Sequence, residues 1–146
     1  MMELNHCAFR VYKDDFDMVV AFFIEKLSFK LLRRKGQIVW MRQGSAPVDI
    51  QLSASETRPE TKGFDIDALR SKDHRDLCDK SRSQIAFLSE HPEKELKQLA
   101  DELEAKGYKT IVLGYSDKEF FLDIPEVFVD FVIEAMTPDC ADYGEL

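Results

Sequence analysis

The 146-residue sequence lacks any long apolar run, and its longest one, residues 18–24, is far shorter than a membrane-spanning helix. That run also lacks the flanks of a secretory signal peptide. Cysteine is scarce, and Cys7, Cys78 and Cys140 are an odd number at irregular spacing, which predicts reduced thiols rather than a disulfide framework. We therefore expect a cytoplasmic protein with no membrane partner.

Basic residues are outnumbered, because 20 lysines and arginines stand against 28 acidic residues, a net charge of −8. Binding to a nucleic-acid backbone needs a clustered basic surface, so this balance argues against a nucleic-acid partner and favours small molecules or other proteins. The charge is uneven along the chain: +2 over residues 1–53, 0 over residues 54–82 and −10 over residues 83–146. The acidity therefore belongs to the last third.

Glycine and proline are few, at 6 and 5, while 45% of the residues are hydrophobic, which is typical of one globular domain. The first part of the chain predicts a strand over residues 4–11 and a helix over residues 14–27. Three predicted strands follow, with a turn signal between the first two at Lys35-Gly36. These strands cover residues 29–34, 37–42 and 48–53. The unit is therefore βαβββ.

The second part of the chain repeats this unit. Residues 84–89 match residues 6–11 at an offset of 78, with Ala and Phe at the same places. A strong helix is predicted over residues 93–106, ending at Gly107. Strands are predicted over residues 108–113, 119–122 and 127–133.

The sequence therefore predicts an α+β fold of two tandem βαβββ modules in a single domain. The modules cover residues 3–53 and 83–136, with a connector over residues 54–82 and a tail over residues 137–146. The connector is predicted to hold a short helix over residues 65–79, and it would serve as a lid or as a crossover between the modules.

Four polar side chains occupy matching places on the predicted strands, on the side facing away from the helices. His6 and Gln84 lie in the first strand of each module, 78 residues apart. Gln51 and Asp130 lie in the last strand of each module, 79 residues apart. Asp130 stands in a strongly apolar stretch, where a carboxylate is costly unless it is paired or exposed to a wet cavity. This pattern indicates two symmetry-related pairs of candidate functional groups.

The sequence resembles the vicinal oxygen chelate superfamily, which includes glyoxalase I, bleomycin-resistance proteins and extradiol dioxygenases. The resemblance rests on residues 4–9 and 84–87, and on residues 122–126 leading into residues 129–131. It implies two modules whose sheets curve around a cleft and present up to four metal ligands. Carried over to this chain, the implied ligands are as follows: His6, Gln51, Gln84 and Asp130.

The chain also departs from that pattern. Metal-dependent members more often have His where Gln84 stands and Glu where Gln51 and Asp130 stand, and their Asp-Pro-Asp-Gly turn is replaced by residues 123–126. Two neutral amides make a weaker divalent site than two further charged ligands, because an amide oxygen brings only a dipole to the cation.

The resemblance implies two functions that the sequence leaves open. The first is a glyoxalase-type lyase or isomerase, in which Zn, Ni, Fe, Mn or Co stabilises an oxyanion or enediolate of a small substrate and Asp130 is both ligand and proton acceptor. The second is a metal-free binding protein of the bleomycin-resistance type, which would sequester a cationic compound. Either implies a homodimer.

Three further residues are candidates for substrate binding. Trp40 alternates with Arg42 on one predicted strand, so it lines the cleft or belongs to the core. Arg10 and Arg42 are the candidate polar contacts, and each is also a candidate ion-pair partner for Asp130.

Histidines outside the repeated strands carry weaker signals. His74 and Cys78 have the i, i+4 spacing of some zinc ligands, but no second pair accompanies them, so a solvated charged segment is the competing interpretation. His91, which precedes Pro92, is interpreted as a residue at the start of a helix.

Overall fold

The computed structural model describes residues 1–59 and 80–142, and these form two copies of the predicted βαβββ unit. The elements of the first copy are β1 (His6–Tyr12), α1 (Phe16–Glu25), β2 (Phe29–Lys35), β3 (Ile38–Gln43) and β4 (Asp49–Ser55). Those of the second copy are β5 (Gln84–Leu88), α2 (Pro92–Ala105), β6 (Ile111–Gly114), β7 (Glu119–Asp123) and β8 (Val132–Met136). The predicted α+β class and the internal repeat are confirmed.

Each copy folds its four strands into one mixed sheet with the same strand order. The order is β1-β4-β3-β2 in the first sheet and β5-β8-β7-β6 in the second. In both sheets the first and last strands of the copy are parallel neighbours, and the other pairs are antiparallel. The first and last strands are therefore adjacent in each copy, which brings their side chains together.

Helix α1 forms because its apolar residues recur at helical spacing and are buried against the first sheet. Phe16, Val19 and Phe23 are fully buried. The helix starts after a short 3₁₀ turn, Lys13–Asp15, and it ends at the cap residue Lys26, so it is shorter than predicted at both ends.

Helix α2 follows the same logic with clearer end signals. Pro92 lies in its first turn, where a missing backbone N–H costs nothing. Leu96, Ala100 and Leu103 are buried, and each buried leucine stabilises the fold by about 2 kcal/mol. Gly107 follows the helix with φ of +94°, the left-handed conformation in which a helix commonly ends.

The closing strand of the second copy differs from the prediction. The predicted strand over residues 127–133 is wrong, because β8 is Val132–Met136. Residues 126–130 instead run beside β1: the Tyr12 N–H donates to the Val127 carbonyl, the Val129 N–H donates to the Arg10 carbonyl, and Val11 forms an isolated bridge with Phe128. Phe128 is fully buried there. The continuous apolar alternation over residues 127–133 is thus divided, because its first part lies beside β1 and its last residues belong to β8.

The chain divides into two compact units. The first unit is Met1–Pro59 with Glu126–Asp130, and the second is Glu60–Pro125 with Phe131–Leu146. The predicted connector helix over residues 65–79, with His74 and Cys78, lies outside the described residues. No helix among residues 1–59 and 80–142 has the length and apolar character needed to cross a membrane.

Candidate functional site

The first sheet turns one side toward helix α1 and leaves the other side to polar residues. Side chains of paired residues share a face, so the register assigns this polar face of the first sheet. From β1 and β4 it receives His6, Ala8, Arg10, Tyr12, Asp49, Gln51, Ser53 and Ser55. From β2 and β3 it receives Lys30, Arg33, Lys35, Ile38, Trp40 and Arg42. Most of the predicted site residues therefore share one face.

Two predicted metal ligands, His6 and Gln51, lie on the neighbouring strands β1 and β4 of that face. Gln51 pairs with Ala8, two residues along β1 from His6. The His6 side chain is exposed, and its Nδ1 lies 2.9 Å from Oδ1 of Asn5, which leaves Nε2 for another partner. Gln51 is half-buried.

Arg42, a predicted substrate contact, is engaged by a carboxylate of its own sheet. Its Nε lies 2.7 Å and its Nη2 lies 3.3 Å from the two carboxylate oxygens of Asp49, and these hydrogen bonds raise the pKa of Arg42. Asp49 is buried, with 7% of its surface exposed. The pair is a fork-shaped, charge-assisted contact that fixes the Arg42 side chain beside Gln51 and Trp40.

Asp130 is likewise held by the first unit. Its Oδ1 accepts the Arg10 backbone N–H at 2.9 Å, and its Oδ2 accepts Nε–H of the same residue at 3.0 Å. The alternative interpretation from the sequence, an ion pair with Arg10, is therefore the observed one, and its partner is not Arg42. Asp130 also lies outside β8, so its predicted place in the last strand is wrong.

The second sheet carries both apolar and polar residues on the side away from helix α2, and Ile111, Phe121 and Val132 form a buried apolar cluster there. The register places these residues there: Gln84, Ala86 and Leu88 of β5, Val132, Glu134 and Met136 of β8, Glu119, Phe121 and Asp123 of β7, and Ile111 and Leu113 of β6. The residue that matches Gln51 by register is Glu134, because Glu134 pairs with Ala86 as Gln51 pairs with Ala8. The sequence prediction missed Glu134.

Glu134 is a buried carboxylate without a counter-charge. Only 7% of its surface is exposed, and no described Lys or Arg forms an ion pair with it. Burial raises the pKa of Glu134, and the nearby Glu119 carboxylate raises it further. The signal that could have found this residue is the repeat itself, since the same Ala lies two residues after His6 and after Gln84.

Gln84, the predicted first-strand ligand of the second unit, has its amide oriented. Its Nε2 donates to the backbone carbonyl of Ser81 at 2.7 Å, so the Oε1 atom is left to accept a hydrogen bond or to face a cation. Gln84 and Glu134 thus contribute one oriented amide oxygen and one buried carboxylate on the parallel strands β5 and β8.

A third acidic group of this face, Asp123, is already neutralised. Lys80 Nζ lies 2.7 Å from Asp123 Oδ1, and the Asp123 side chain is only 1% exposed. Burial raises the pKa of Asp123, while the Lys80 charge and hydrogen bond oppose that rise. The pair is a buried structural contact, which distinguishes Asp123 from the uncompensated Glu134.

No cluster of three or more His, Cys, Asp and Glu side chains with the geometry of a metal site occurs among residues 1–59 and 80–142. The candidate donors on each sheet include an amide, so neither sheet supplies such a cluster by itself. Two surface cavities of the second unit, of about 570 and 470 Å³, lie beside helix α2 and share Phe120 and Asp101 as lining residues. No predicted site residue lines either of them.

Solved structures share this fold at low sequence identity. A possible glyoxalase from Bacillus cereus is 16% identical, with 93% of this chain and 99% of that chain covered and a TM-score of 0.53. Glyoxalase I from Leishmania major is 17% identical, with coverage of 96% and 89% and a TM-score of 0.52. The bleomycin-binding protein of Streptomyces verticillus is 14% identical, with coverage of 94% and 98% and a TM-score of 0.50.

The sequence itself matches no protein-family model and no curated protein. The structural likeness extends over nearly the whole chain, and the neighbours include glyoxalases and a bleomycin-binding protein. The two βαβββ units and their sheet order agree with that likeness. The chain therefore has the fold of the vicinal oxygen chelate superfamily, as the sequence resemblance implied.

Proposed function

We propose that this protein binds a small molecule and that its second unit binds a divalent cation through Glu134. The single observation that supports this is that Glu134 is only 7% exposed as a residue and has no positive partner among the described residues. An isolated buried carboxylate is costly, so a sequence that keeps one gains something from it elsewhere. A bound cation would supply the missing charge.

The donor atoms of these residues fit a hard cation. Glu134 brings a carboxylate, and Gln84 brings an amide oxygen whose own N–H is already bonded to Ser81. His6 and Gln51 remain predicted ligands, as the resemblance implies, whereas Glu134 replaces Asp130 because Arg10 uses both Asp130 oxygens. Oxygen donors that outnumber nitrogen donors favour Mn among the five predicted metals.

The proposed chemistry is that of a glyoxalase-type lyase or isomerase. A bound divalent cation would stabilise the oxyanion or enediolate formed beside a carbonyl group. Within the chain, Glu134 is the residue proposed to receive the proton, because it is the one carboxylate among the proposed ligands His6, Gln51, Gln84 and Glu134.

The first experiment measures metal. The protein, purified without a metal-affinity tag, is equilibrated separately with Zn, Ni, Fe, Mn and Co, and the bound metal is counted. We expect about one ion per chain in the parent and a clear loss in Glu134→Gln, with Asp130→Asn as the matched control because it removes a carboxylate that is already paired. Absence of stoichiometric metal from the parent under all five conditions would remove the metal proposal.

The second experiment measures proton transfer. Enediolate chemistry exchanges the hydrogen on the carbon next to a carbonyl, so a panel of α-hydroxy carbonyl compounds is incubated in deuterated water with the metal-loaded protein. We expect exchange in at least one compound, with a loss of about 100-fold or more in Glu134→Gln, the size of a typical acid–base contribution. Exchange that is unchanged in that variant would contradict the role of Glu134.

A second candidate function is metal-free binding of an organic cation, as in the bleomycin-resistance type. Glu119 and Glu134 favour it, because both carboxylates lie on the side of the second sheet away from helix α2 and the Glu119 charge raises the pKa of Glu134. This candidate predicts saturable binding of cationic compounds in the presence of EDTA, with an affinity that falls as salt rises. Binding that does not respond to salt would remove it.

Assembly and location are proposed with the same function. We expect a homodimer, which sedimentation analysis tests directly, and a reducing cytoplasmic location. The described cysteines Cys7 and Cys140 are free thiols, which agrees with the predicted reduced state.

A further inference from the structure

Strand β2 places three basic side chains on the polar face of the first sheet. Lys30 pairs with Arg42, Arg33 pairs with Trp40, and Lys35 pairs with Ile38. All three are exposed. They are the outermost row of that face, because β2 is at the edge of the sheet.

These three cations differ from the other basic groups of the same face in having no carboxylate. Arg42 is paired with Asp49 at 2.7 Å, and Arg10 is paired with Asp130 at 3.0 Å. Within residues 1–59 and 80–142, no acidic side chain lies within ion-pair distance of Lys30, Arg33 or Lys35, and Arg33 stacks on an aromatic ring instead. The row therefore carries an uncompensated charge of +3 in a protein whose net charge is −8.

Trp40 separates this row from the candidate ligand Gln51. The tryptophan is half-buried, it pairs with Gln51 on one side, and the Arg33 guanidinium carbon lies 5.4 Å from its ring centroid on the other. Adjacent strands are about 4.8 Å apart, so Gln51 and Arg33, two strands apart, are separated by about 10 Å. An apolar surface is thus bordered by a polar amide at one end and by cations at the other.

We propose that the small molecule bound on this face is anionic: an apolar or planar segment lies over Trp40, and a carboxylate or phosphate is bound by Arg33 with Lys30 and Lys35. The distance across the strands sets the length, so the anionic group lies about 10 Å from the part of the molecule nearest Gln51. This inference rests on the proposed small-molecule binding and names its substrate class. It also opposes a cationic ligand on the first unit.

The test uses Trp40 as its reporter, because it is the only tryptophan in the sequence. Its fluorescence is titrated in EDTA with three probes of similar length: 4-phenylbutyrate, 3-phenylpropyl phosphate and the neutral 4-phenylbutyramide. We expect both anions to bind at least about tenfold more tightly than the amide, with that advantage shrinking as salt rises. The carboxylate and phosphate arms show which anionic group is preferred.

Variants on the two faces of β2 show which side chains bind the anions. Arg33→Gln should weaken both anions by about tenfold and leave the amide unchanged. Arg34→Gln is the control, since Arg34 is the next residue on the same strand but turns to the other face, where it stacks on Phe16 and pairs with Asp17. If Arg33→Gln is poorly folded, the double variant Lys30→Gln/Lys35→Gln replaces it and should weaken both anions similarly.

Three outcomes would overturn the inference. The first is that the amide binds as tightly as the anions, and the second is that the Arg33 and Arg34 variants weaken anion binding equally. The third is that the lysine variant aggregates but keeps its affinity for the anions, which would mean that the three basic residues protect an edge strand from pairing with other chains. The titration needs no metal, so its failure is distinguishable from a failure of the metal measurement.

Discussion

Glu134 and Gln51 hold the same register position in the two sheets: Glu134 pairs with Ala86 on the first strand of its copy, as Gln51 pairs with Ala8. Duplication thus places an acidic residue in one copy where the other copy has its neutral amide. The acidic residue is buried with 7% exposure, and no described cation offsets it. This pairing supports the proposal that Glu134, rather than Asp130, is the carboxylate ligand.

Removing the Glu134 charge should stabilise the metal-free protein. Burial and Glu119 raise the pKa of Glu134 in the folded state, so the folded protein binds its proton more tightly than the unfolded chain does. The associated stability is fully present below the ordinary glutamate pKa and is lost as the pH rises through the raised one. At pH 7 in EDTA, Glu134→Gln should therefore melt at a higher temperature than the parent.

The pH dependence provides the control for that prediction. The advantage of Glu134→Gln should shrink as the pH falls through the raised pKa of Glu134, and it should be absent below about 4, where the carboxyl is protonated in both states. Asp130→Asn should shift the melting temperature in the opposite direction at pH 7, because it removes an ion pair with Arg10. A Glu134→Gln variant that is less stable than the parent at pH 7 would show that the carboxylate is satisfied after all.

The buried pair of Lys80 and Asp123 should be costly to break. Lys80→Met leaves a carboxylate with 1% exposure unpaired, and such a loss costs about 3–5 kcal/mol. The double variant Lys80→Met/Asp123→Leu should recover most of that stability, because it removes the charge together with its partner. Urea unfolding of the parent, the single variant and the double variant measures both effects.

Acid should reduce the Lys80→Met deficit. With Lys80 gone, only the Ile124 backbone hydrogen bond opposes the effect of burial on the pKa of Asp123, so the folded state favours the protonated carboxyl even more strongly. The deficit should therefore be largest at neutral pH and smaller near pH 4. A single variant as stable as the parent at pH 7 would mean that the pair carries no net stability.

Gly114 should not tolerate a methyl group. A Cβ added there would lie 2.8 Å from Phe120 Cε1, closer than real Cβ atoms come to another atom, and 3.1 Å from the Ser116 carbonyl oxygen, which is tighter than most real contacts. Gly114→Ala should destabilise the protein by about 1–3 kcal/mol, and Phe120→Leu in the same chain should relieve part of that cost. Thermal unfolding compares the two variants, and a Gly114→Ala protein with unchanged stability would contradict this packing.

Much of the fold was predictable because its signals are local. The helix periodicities, the Lys35-Gly36 turn, where Gly36 has φ of +59°, and the 78-residue repeat all depend on residues close together in sequence or on direct self-similarity. The place of residues 126–130 was not predictable in the same way. Their apolar alternation runs on into β8, and only a distant contact with β1 shows where one segment stops and the next begins.

The candidate site was predictable on the first strands and on β4, where the polar residue lies within a regular strand. His6, Gln51 and Gln84 lie on the side of their sheets that faces away from the helix, as predicted. Asp130 is the exception, and its misplacement has the same cause as that of the predicted strand. Counting along the continuous apolar alternation placed the last-strand carboxylate at residue 130, four residues before Glu134. The pairing of Glu134 with Ala86 shows the shift, but this register between distant strands is not contained in local sequence patterns.

The most direct test of the proposed role of Glu134 is a titration of the parent, Glu134→Gln and Asp130→Asn with Mn and with Zn. Equilibrium dialysis measures the bound metal. The account predicts about one ion per chain in the parent and in Asp130→Asn, and an affinity at least about tenfold lower in Glu134→Gln. The opposite pattern, with metal retained in Glu134→Gln and lost in Asp130→Asn, would contradict it.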